Sequence, residues 1–158
     1  MQYFSPLKSF PNGGLIEIID GYIKKSDHDD LIAIAHFFAQ QGKIVQIPTD
    51  IHFKNELYRH IFGKLMGTIY ERRCPDLIID GEFYEYESYV PPFKKEKIFH
   101  MISKGLQQSS RIIINNDSGA DDNFILQNIH NRVFYEKQNV EEVWLFEKGK
   151  IRLFFKKQ

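Results

Sequence analysis

The chain has 158 residues, of which 42% are apolar, including 14 Phe and 8 Tyr. That length suits a single domain, and a folded chain of this size buries roughly 70% of its unfolded surface without a disulfide or metal. Its 21 Lys and Arg balance 21 Asp and Glu, which counts against a general nucleic-acid coat protein, because the affinity of such proteins comes from phosphate neutralisation. The sequence predicts one domain over residues 1–158.

Three features of the sequence favour a cytoplasmic location. Cys74 is the single cysteine, so no internal disulfide forms, and no Cys and His spacing typical of zinc sites occurs. The first residues, MQYFSPLKSF, lack the charged leader and apolar run of a signal peptide. No apolar stretch approaches the roughly 18 residues that a membrane-spanning helix needs. We expect a cytoplasmic protein with no membrane partner.

The predicted elements alternate between strands and helices along the chain. Their order is β-α-β-α-ββ-α-β-α-ββ, which predicts an α/β or α+β domain with a mixed β-sheet flanked by helices. Ser26 and Asp27 are the N-cap candidates of the first helix, and Gly42 ends it. The expected ranges are 15–19, 27–41, 43–47, 53–66, a hairpin within 74–89, 94–108, 111–114, 121–135 and a closing hairpin that turns at Lys148-Gly149.

The segment CPDLIIDGEFYEYESY, residues 74–89, predicts an unusually acidic hairpin. Asp80-Gly81 is a strong two-residue turn signal, because a type I′ turn needs positive φ at both positions. Counting back from this turn places Asp76 opposite Glu85. Glu87 lies two residues beyond Glu85 and therefore shares its face. The register predicts that Asp76, Glu85 and Glu87 converge at one end of the hairpin.

Two explanations account for carboxylates that face each other across a hairpin. Opposed carboxylates repel, and a cation such as Mg²⁺ or Mn²⁺ removes that penalty because these ions prefer oxygen ligands. Such an ion can hold a scissile phosphate and activate a water. The alternative is a solvated edge strand, since natural sheets place charge on edges to block aggregation. The first explanation depends on the register, because a shift of one residue separates Asp76 from Glu85.

One part of the sequence resembles the signature of the PD-(D/E)XK nucleases. It consists of Pro75-Asp76, a short hairpin and then Glu85-Tyr86-Glu87. The order of elements between residues 27 and 116 also resembles the restriction-endonuclease-like core of that superfamily, which includes C-terminal nuclease domains of contact-dependent inhibition toxins. The resemblance implies a metal-dependent nuclease that cleaves phosphodiester bonds of DNA or tRNA. It implies that Asp76 and Glu85 bind Mg²⁺ or Mn²⁺, and that Glu87 stands where the family has a lysine and completes the catalytic set.

The same resemblance assigns roles outside the hairpin. Gln107 corresponds to a glutamine sometimes found on the helix after the motif, and is a further catalytic candidate. Asp29 or Asp30 corresponds to an acidic residue of the first helix, although the helix dipole explains acids there equally well. A glutamate cannot supply the positive charge of the missing lysine, and three alternatives stay open. The site works with Glu87, as in some restriction enzymes, or Lys94, Lys95 or Lys104 replaces the lysine in space, or the fold persists without activity. The expected phosphate-binding residues are Lys94, Lys95, Lys104 and Arg111.

The sequence leaves two other functions open. A metal-independent RNase of the Barnase–EndoU–colicin–RelE type would act through His100, Ser109, Arg111 and Arg132, but it gives the acidic residues no role. A non-catalytic immunity or accessory protein of a mobile element would use the tyrosine-rich hairpin for docking, since Tyr is enriched at interfaces. The partners considered are therefore nucleic acid, a cognate immunity or accessory protein, and a second copy of the chain, since restriction-like nucleases are often dimers.

Overall fold

The computed structural model describes residues 2–158 of the chain. Within that range eight strands and four α-helices form a mixed α/β fold, and the strands follow chain order in one mixed sheet. A short 3₁₀ helix, Gly63–Leu65, follows α2. The elements are β1 (Phe4–Ser9), β2 (Leu15–Ile19), α1 (His28–Gln40), β3 (Ile44–Ile47), α2 (Glu56–Phe62), β4 (Leu77–Ile79), β5 (Glu82–Glu87), α3 (Lys95–Gln108), β6 (Arg111–Asn115), α4 (Asp122–Phe134), β7 (Glu142–Glu147) and β8 (Lys150–Lys156).

The chain divides into two compact units, a first unit that ends at Tyr84 and a second unit that comprises Glu85–Gln158. The boundary falls inside β5. A single domain over residues 1–158 stays a prediction. None of the helices in residues 2–158 combines the length and the apolar character needed to cross a bilayer.

The first unit packs helices on strands β1 to β4 and the start of β5. β1 and β2 are antiparallel, β2 and β3 are parallel, and β4 is antiparallel to both β3 and β5. α1 buries Leu31, Ile34 and Phe38. α2 buries Tyr58 and Phe62 completely, in an apolar cluster that also contains Phe4 and Ile78. Burial of each such large side chain contributes roughly 1.5–3 kcal/mol.

β1 is the element that the sequence does not predict. Its segment FSPLKS contains Pro6, and within it Phe4 alone is buried, so neither alternation nor β-branched residues indicate a strand. β1 lies at the edge of the sheet beside β2, where a proline without an N–H is tolerated. A register shift between Pro6 and Lys8 interrupts the pairing. This strand forms because β2 offers a partner, and not from local preference.

The second unit is built on three parallel strands. β5, β6 and β7 are parallel, and β8 returns antiparallel to β7. β6 carries Ile112–Ile114, which are fully buried, as expected for a central strand of a parallel sheet. Ile112 and Ile114 share one core cluster with Ile98 and Ile102 of α3 and Ile125 of α4. The β7–β8 hairpin turns at Lys148-Gly149 as predicted, with φ of 50° and 78°.

The predicted turn of the acidic hairpin and the pairing of 77–79 with 82–84 are confirmed, whereas the position of Asp76 opposite Glu85 stays a prediction. Asp80-Gly81 forms the turn between β4 and β5 with φ of 47° and 83°, and Leu77 pairs with Tyr84. The Ile44 N–H donates to Asp80 Oδ1 at 2.8 Å. The side chain of Asp80 therefore ties the turn to β3, which explains this carboxylate without a catalytic role.

Candidate functional site

Asp76 lies directly before β4 and is nearly buried, with 8% of its surface exposed. Lys25, in the segment before α1, donates from Nζ to Asp76 Oδ1 at 2.9 Å. The same ammonium lies 3.4 Å from Asp50 Oδ1. A buried carboxylate is costly unless it is paired and hydrogen-bonded, and Lys25 meets that requirement.

Lys25 retains its positive charge in this setting. Burial lowers the pKa of its ammonium, but the charges and hydrogen bonds of Asp76 and Asp50 outweigh burial, and the pKa of Lys25 lies above its usual value. Because the ammonium stays protonated at neutral pH, Lys25 acts through charge and hydrogen bonding and not as a proton acceptor.

Asp27 stands at the N-cap of α1, yet its side chain makes no capping hydrogen bond. Its Oδ1 is buried and has no hydrogen-bond partner among the described residues. Burial raises the pKa of the Asp27 carboxyl, and the negative charge of Asp76 raises it further. A buried acceptor left unsatisfied costs about 1–3 kcal/mol. We call Lys25, Asp27, Asp50 and Asp76 the lysine–aspartate cluster.

The segment that carries Lys25 and Asp27 is held in place by Tyr22. The Tyr22 N–H donates to Ile19 O at 3.1 Å, at the end of β2. Its hydroxyl lies 2.9 Å from His28 Nδ1, and burial raises the pKa of the phenol. The phenol therefore stays protonated and shares a hydrogen bond with the imidazole. These contacts anchor the cluster to β2 on one side and to α1 on the other.

Glu85 and Glu87 belong to the second unit, on the part of β5 that pairs with β6. Glu85 lies opposite Ile112 and is buried, with 9% of its surface exposed, whereas Glu87 is half-buried. The two share one face of the strand. Glu87 packs against α3 at Gly105, where an added Cβ would lie 3.3 Å from Glu87 Cγ. Convergence of these two residues with Asp76 stays a prediction.

The basic and polar residues predicted along α3 are solvent-exposed. Lys94 is the N-cap residue of α3, and Lys95 begins the helix. His100, Lys104 and Gln107 follow at spacings of four and three, so they share one face of the helix. Exposure leaves all five side chains accessible to a polyanion, and their roles in binding or catalysis stay predictions.

The residues of the alternative RNase are engaged in structural contacts. Arg132 is 4% exposed, donates from Nη2 to Phe99 O at 3.2 Å and lies 4.6 Å from the centroid of the Phe99 ring. Arg111 Nε donates to Glu142 Oε2 at 2.9 Å, and the Arg111 N–H donates to Ser109 Oγ at 3.1 Å. Burial keeps Arg132 away from a nucleic-acid phosphate, and Arg111 meets phosphate only in competition with Glu142.

The tyrosines of the hairpin offer little docking surface. Tyr84 and Tyr86 are 7% and 3% exposed. The Tyr86 hydroxyl accepts a hydrogen bond from Asn115 Nδ2 at 3.0 Å, and its ring meets Phe146 edge-on at 5.9 Å between centroids. Both side chains thus pack in the interior of the fold, which weakens the alternative that the hairpin docks on a partner protein.

The donor chemistry of the cluster suits a small hard cation. In residues 2–158 no group of three His, Cys, Asp or Glu side chains is arranged to hold a metal on its own. Mg²⁺ needs fewer protein ligands, because it keeps several waters and is usually bound by one or two carboxylates together with substrate phosphate. The unpartnered Asp27 oxygen, close enough to Asp76 for their charges to interact, fits that requirement.

Lys25 and Asp50 are site residues that the sequence does not indicate. Lys25 lies 51 residues from Asp76 in the chain, and no local pattern indicates which strands will lie side by side. The sequence predicts no role for Asp27 other than that of an N-cap residue, since an aspartate before an apolar helical stripe usually caps the helix. The sequence therefore offers no signal that separates a capping carboxylate from one aimed at Asp76 and Lys25.

The chain matches no family model, and no curated protein and no solved structure matches it. The resemblance to PD-(D/E)XK nucleases therefore rests on Pro75-Asp76, on Glu85-Tyr86-Glu87 and on the order of the elements around them.

Proposed function

We propose that the chain is a metal-dependent nuclease of the PD-(D/E)XK type that hydrolyses phosphodiester bonds of DNA or tRNA with Mg²⁺ or Mn²⁺. The observation that carries the proposal is the buried, unpartnered oxygen of Asp27 in the same cluster as the Lys25–Asp76 pair. The succession of α1, β3, the β4–β5 hairpin, α3 and β6 supports it, since this order resembles the restriction-endonuclease-like core.

Each acidic residue has a role in this proposal. Asp76 and Glu85 bind the ion, Glu87 completes the site, and Asp27 offers a further oxygen. A bound Mg²⁺ supplies Lewis-acid activation of the phosphate and a water of lowered pKa. Lys25 provides the positive charge that Glu87 cannot, and its ammonium stabilises the negative charge that develops on the phosphate.

The exposed lysines of α3 serve substrate binding. Lys94, Lys95 and Lys104 contact the phosphate backbone, while Arg111 contributes when it exchanges Glu142 for phosphate. A chain without net charge needs such local basic surface to bind nucleic acid, because affinity for the backbone depends on phosphate neutralisation.

The proposal is tested by cleavage of supercoiled plasmid DNA and of total tRNA by the purified chain, with Mg²⁺, Mn²⁺ or EDTA. We expect cleavage of one of the two substrates with either metal and none with EDTA. Asp76→Asn and Glu85→Gln should lower the rate by at least about 100-fold, since loss of an outer-shell partner alone costs 10–100-fold. Glu82→Gln changes an exposed carboxylate of the same hairpin and serves as the matched control with an unchanged rate.

Two results would count against a metal-dependent nuclease. Cleavage that survives EDTA favours the metal-independent RNase. A folded chain that leaves both substrates intact under all three conditions contradicts the proposal.

A further inference from the structure

A cavity of about 490 Å³ lies in the first unit. One side is formed by Glu17 of β2 and Gln46 of β3, and the other by Arg59 and His60 of α2 with Lys64 of the 3₁₀ helix. Its volume falls within the roughly 300–1,000 Å³ typical of small-molecule sites. No residue of the lysine–aspartate cluster lines it, so this cavity is a second candidate site.

The sheet side of the cavity carries two polar side chains, Glu17 and Gln46, next to the apolar Ile78. Strand pairing aligns Glu17 with Gln46 and Gln46 with Ile78, and Ile78 is buried in the apolar cluster beneath α2. Gln46 Nε2 donates to Glu17 Oε1 at 3.1 Å. Both side chains are half-buried and line the cavity, so water or a ligand can reach the hydrogen-bonding capacity that the pair leaves open. A ligand with N–H groups would use the remaining acceptor capacity of Glu17.

The helix side of the cavity is cationic. Lys64 Nζ donates to Gly81 O at 3.3 Å, and within residues 2–158 no carboxylate lies in ion-pair contact with Arg59, His60 or Lys64. Positive groups that line a concave surface without neutralising partners attract an anion. The cavity is therefore bipolar, with an acceptor on the sheet side and cations on the helix side.

Aromatic rings complete the lining. Tyr3 and His60 stack with centroids 5.2 Å apart and planes inclined by 25°, and Phe83 lines the same cavity. Aromatic faces of this kind bind nucleobases, because every base has a flat π-face that stacks on them. The combination of an acceptor, a flat apolar surface and cations suits a planar ring that bears N–H donors and an attached phosphate.

We propose that this cavity binds a nucleotide, with the base against Glu17 and the Tyr3–His60 stack and the phosphate between Arg59 and Lys64. A carboxylate accepts two hydrogen bonds from adjacent donors, and guanine presents N1–H and N2–H₂ side by side, so a guanine nucleotide is the expected ligand. It is either free or the end unit of a strand. The inference stands without nuclease activity, because none of its residues belongs to the proposed catalytic set.

Calorimetric titration of the chain with GMP, guanosine and inorganic phosphate tests the proposal. GMP should bind at least about 10-fold more tightly than either fragment, a difference of about 1.4 kcal/mol. Arg59→Gln, Lys64→Gln and Glu17→Gln should each weaken GMP binding by at least about 10-fold. Lys24→Gln removes an exposed charge outside the cavity and should leave the affinity unchanged, and thermal melting establishes that each variant is folded.

A second titration with the dinucleotide 5′-pGpG distinguishes the two sources of the ligand. If 5′-pGpG binds more tightly than GMP, the natural ligand is the end of a strand. If it binds more weakly, the natural ligand is a free nucleotide, and both results support the proposal. Three results overturn it: no binding of GMP at millimolar concentration, inorganic phosphate or guanosine binding as tightly as GMP, or an affinity unchanged in folded Arg59→Gln and Lys64→Gln chains.

Discussion

The Asp27 carboxyl combines burial with the nearby negative charge of Asp76, and both raise its pKa in the folded chain. A raised carboxyl pKa means that the folded state holds its proton to higher pH than the unfolded state does. The ionised form therefore destabilises the fold at pH values above the folded pKa, and this cost disappears below the unfolded pKa, near 3.9. A stability cost of this kind is common at functional sites.

Asp27→Asn removes the charge and keeps the shape of the side chain. We expect the free energy of unfolding at neutral pH to rise by about 0.5–2 kcal/mol, and the gain to vanish as the pH falls through the folded pKa of Asp27 and below about 3.9. Urea unfolding across this pH range measures both effects. Asp29→Asn, an exposed change in the first turn of α1, is the control and should not stabilise. A loss of stability in Asp27→Asn would contradict the assignment.

Lys25→Met leaves the buried Asp76 carboxylate without its ammonium. Removal of one partner of a buried pair costs about 3–5 kcal/mol, and we expect the lower end because 20% of the Lys25 side chain is exposed. Lys24→Met, on the neighbouring exposed residue, should change stability by less than about 0.5 kcal/mol.

The double variant Lys25→Met with Asp76→Leu replaces both partners of the ion pair by apolar side chains. It distinguishes the net contribution of the pair to stability from the cost of leaving one buried charge unpaired. Because a buried ion pair replaced by apolar residues is often neutral in stability, we expect it to recover part of the loss seen in Lys25→Met. Urea unfolding of all three chains is the measurement. Equal stability of Lys25→Met and wild type would show that the pair does not matter to the fold.

Close packing between elements fixes β2 against α1 at Gly14. A Cβ at Gly14 would lie 1.7 Å from Ala39 O, a backbone atom near the end of α1. Because a carbonyl within a helix cannot move alone, the strand and the helix would have to separate. This contact accounts for a glycine at the start of β2, where the φ angle does not require one.

Gly14→Ala should therefore lower the free energy of unfolding by about 3 kcal/mol or more. Gly63→Ala is the matched control, because Gly63 has a φ of −58° and nothing lies within 4 Å of its added Cβ. That variant should be neutral or gain about 0.4–1 kcal/mol from the less flexible unfolded chain. Thermal and urea unfolding give both values, and equal effects of the two substitutions would refute the packing argument.

Elements whose signals are local could be predicted from the sequence. Asp80-Gly81 fixes its own turn and thereby the pairing of Leu77 with Tyr84. β1 carries no such signal, because Pro6 and exposed side chains conceal an edge strand that depends on β2. Lys25 and Asp76 lie 51 residues apart in the chain and meet only in the folded structure, and the sequence alone does not specify that contact.

Over the whole chain, positive and negative charges cancel in number, but single regions of each unit carry local charge. The first unit holds the lysine–aspartate cluster, in which Asp76 is buried and Asp50 is exposed. In the second unit the exposed basic residues are Lys95 and Lys104 of α3 and its N-cap residue Lys94. A neutral chain can therefore present acidic groups for a cation and basic groups for a polyanion. The proposed metal-dependent nuclease would use such local groups, and the net charge conceals them.

In the proposed function Asp76 and Glu85 bind a divalent cation, and calorimetric titration with Mn²⁺ is the decisive measurement. We predict one Mn²⁺ per chain and a melting temperature that rises with Mn²⁺, since a ligand of the folded state stabilises it by mass action. Binding should be lost in Asp76→Asn and in Glu85→Gln and kept in Glu82→Gln. Absence of Mn²⁺ binding to the wild-type chain, or equal binding to Asp76→Asn, would contradict the claim.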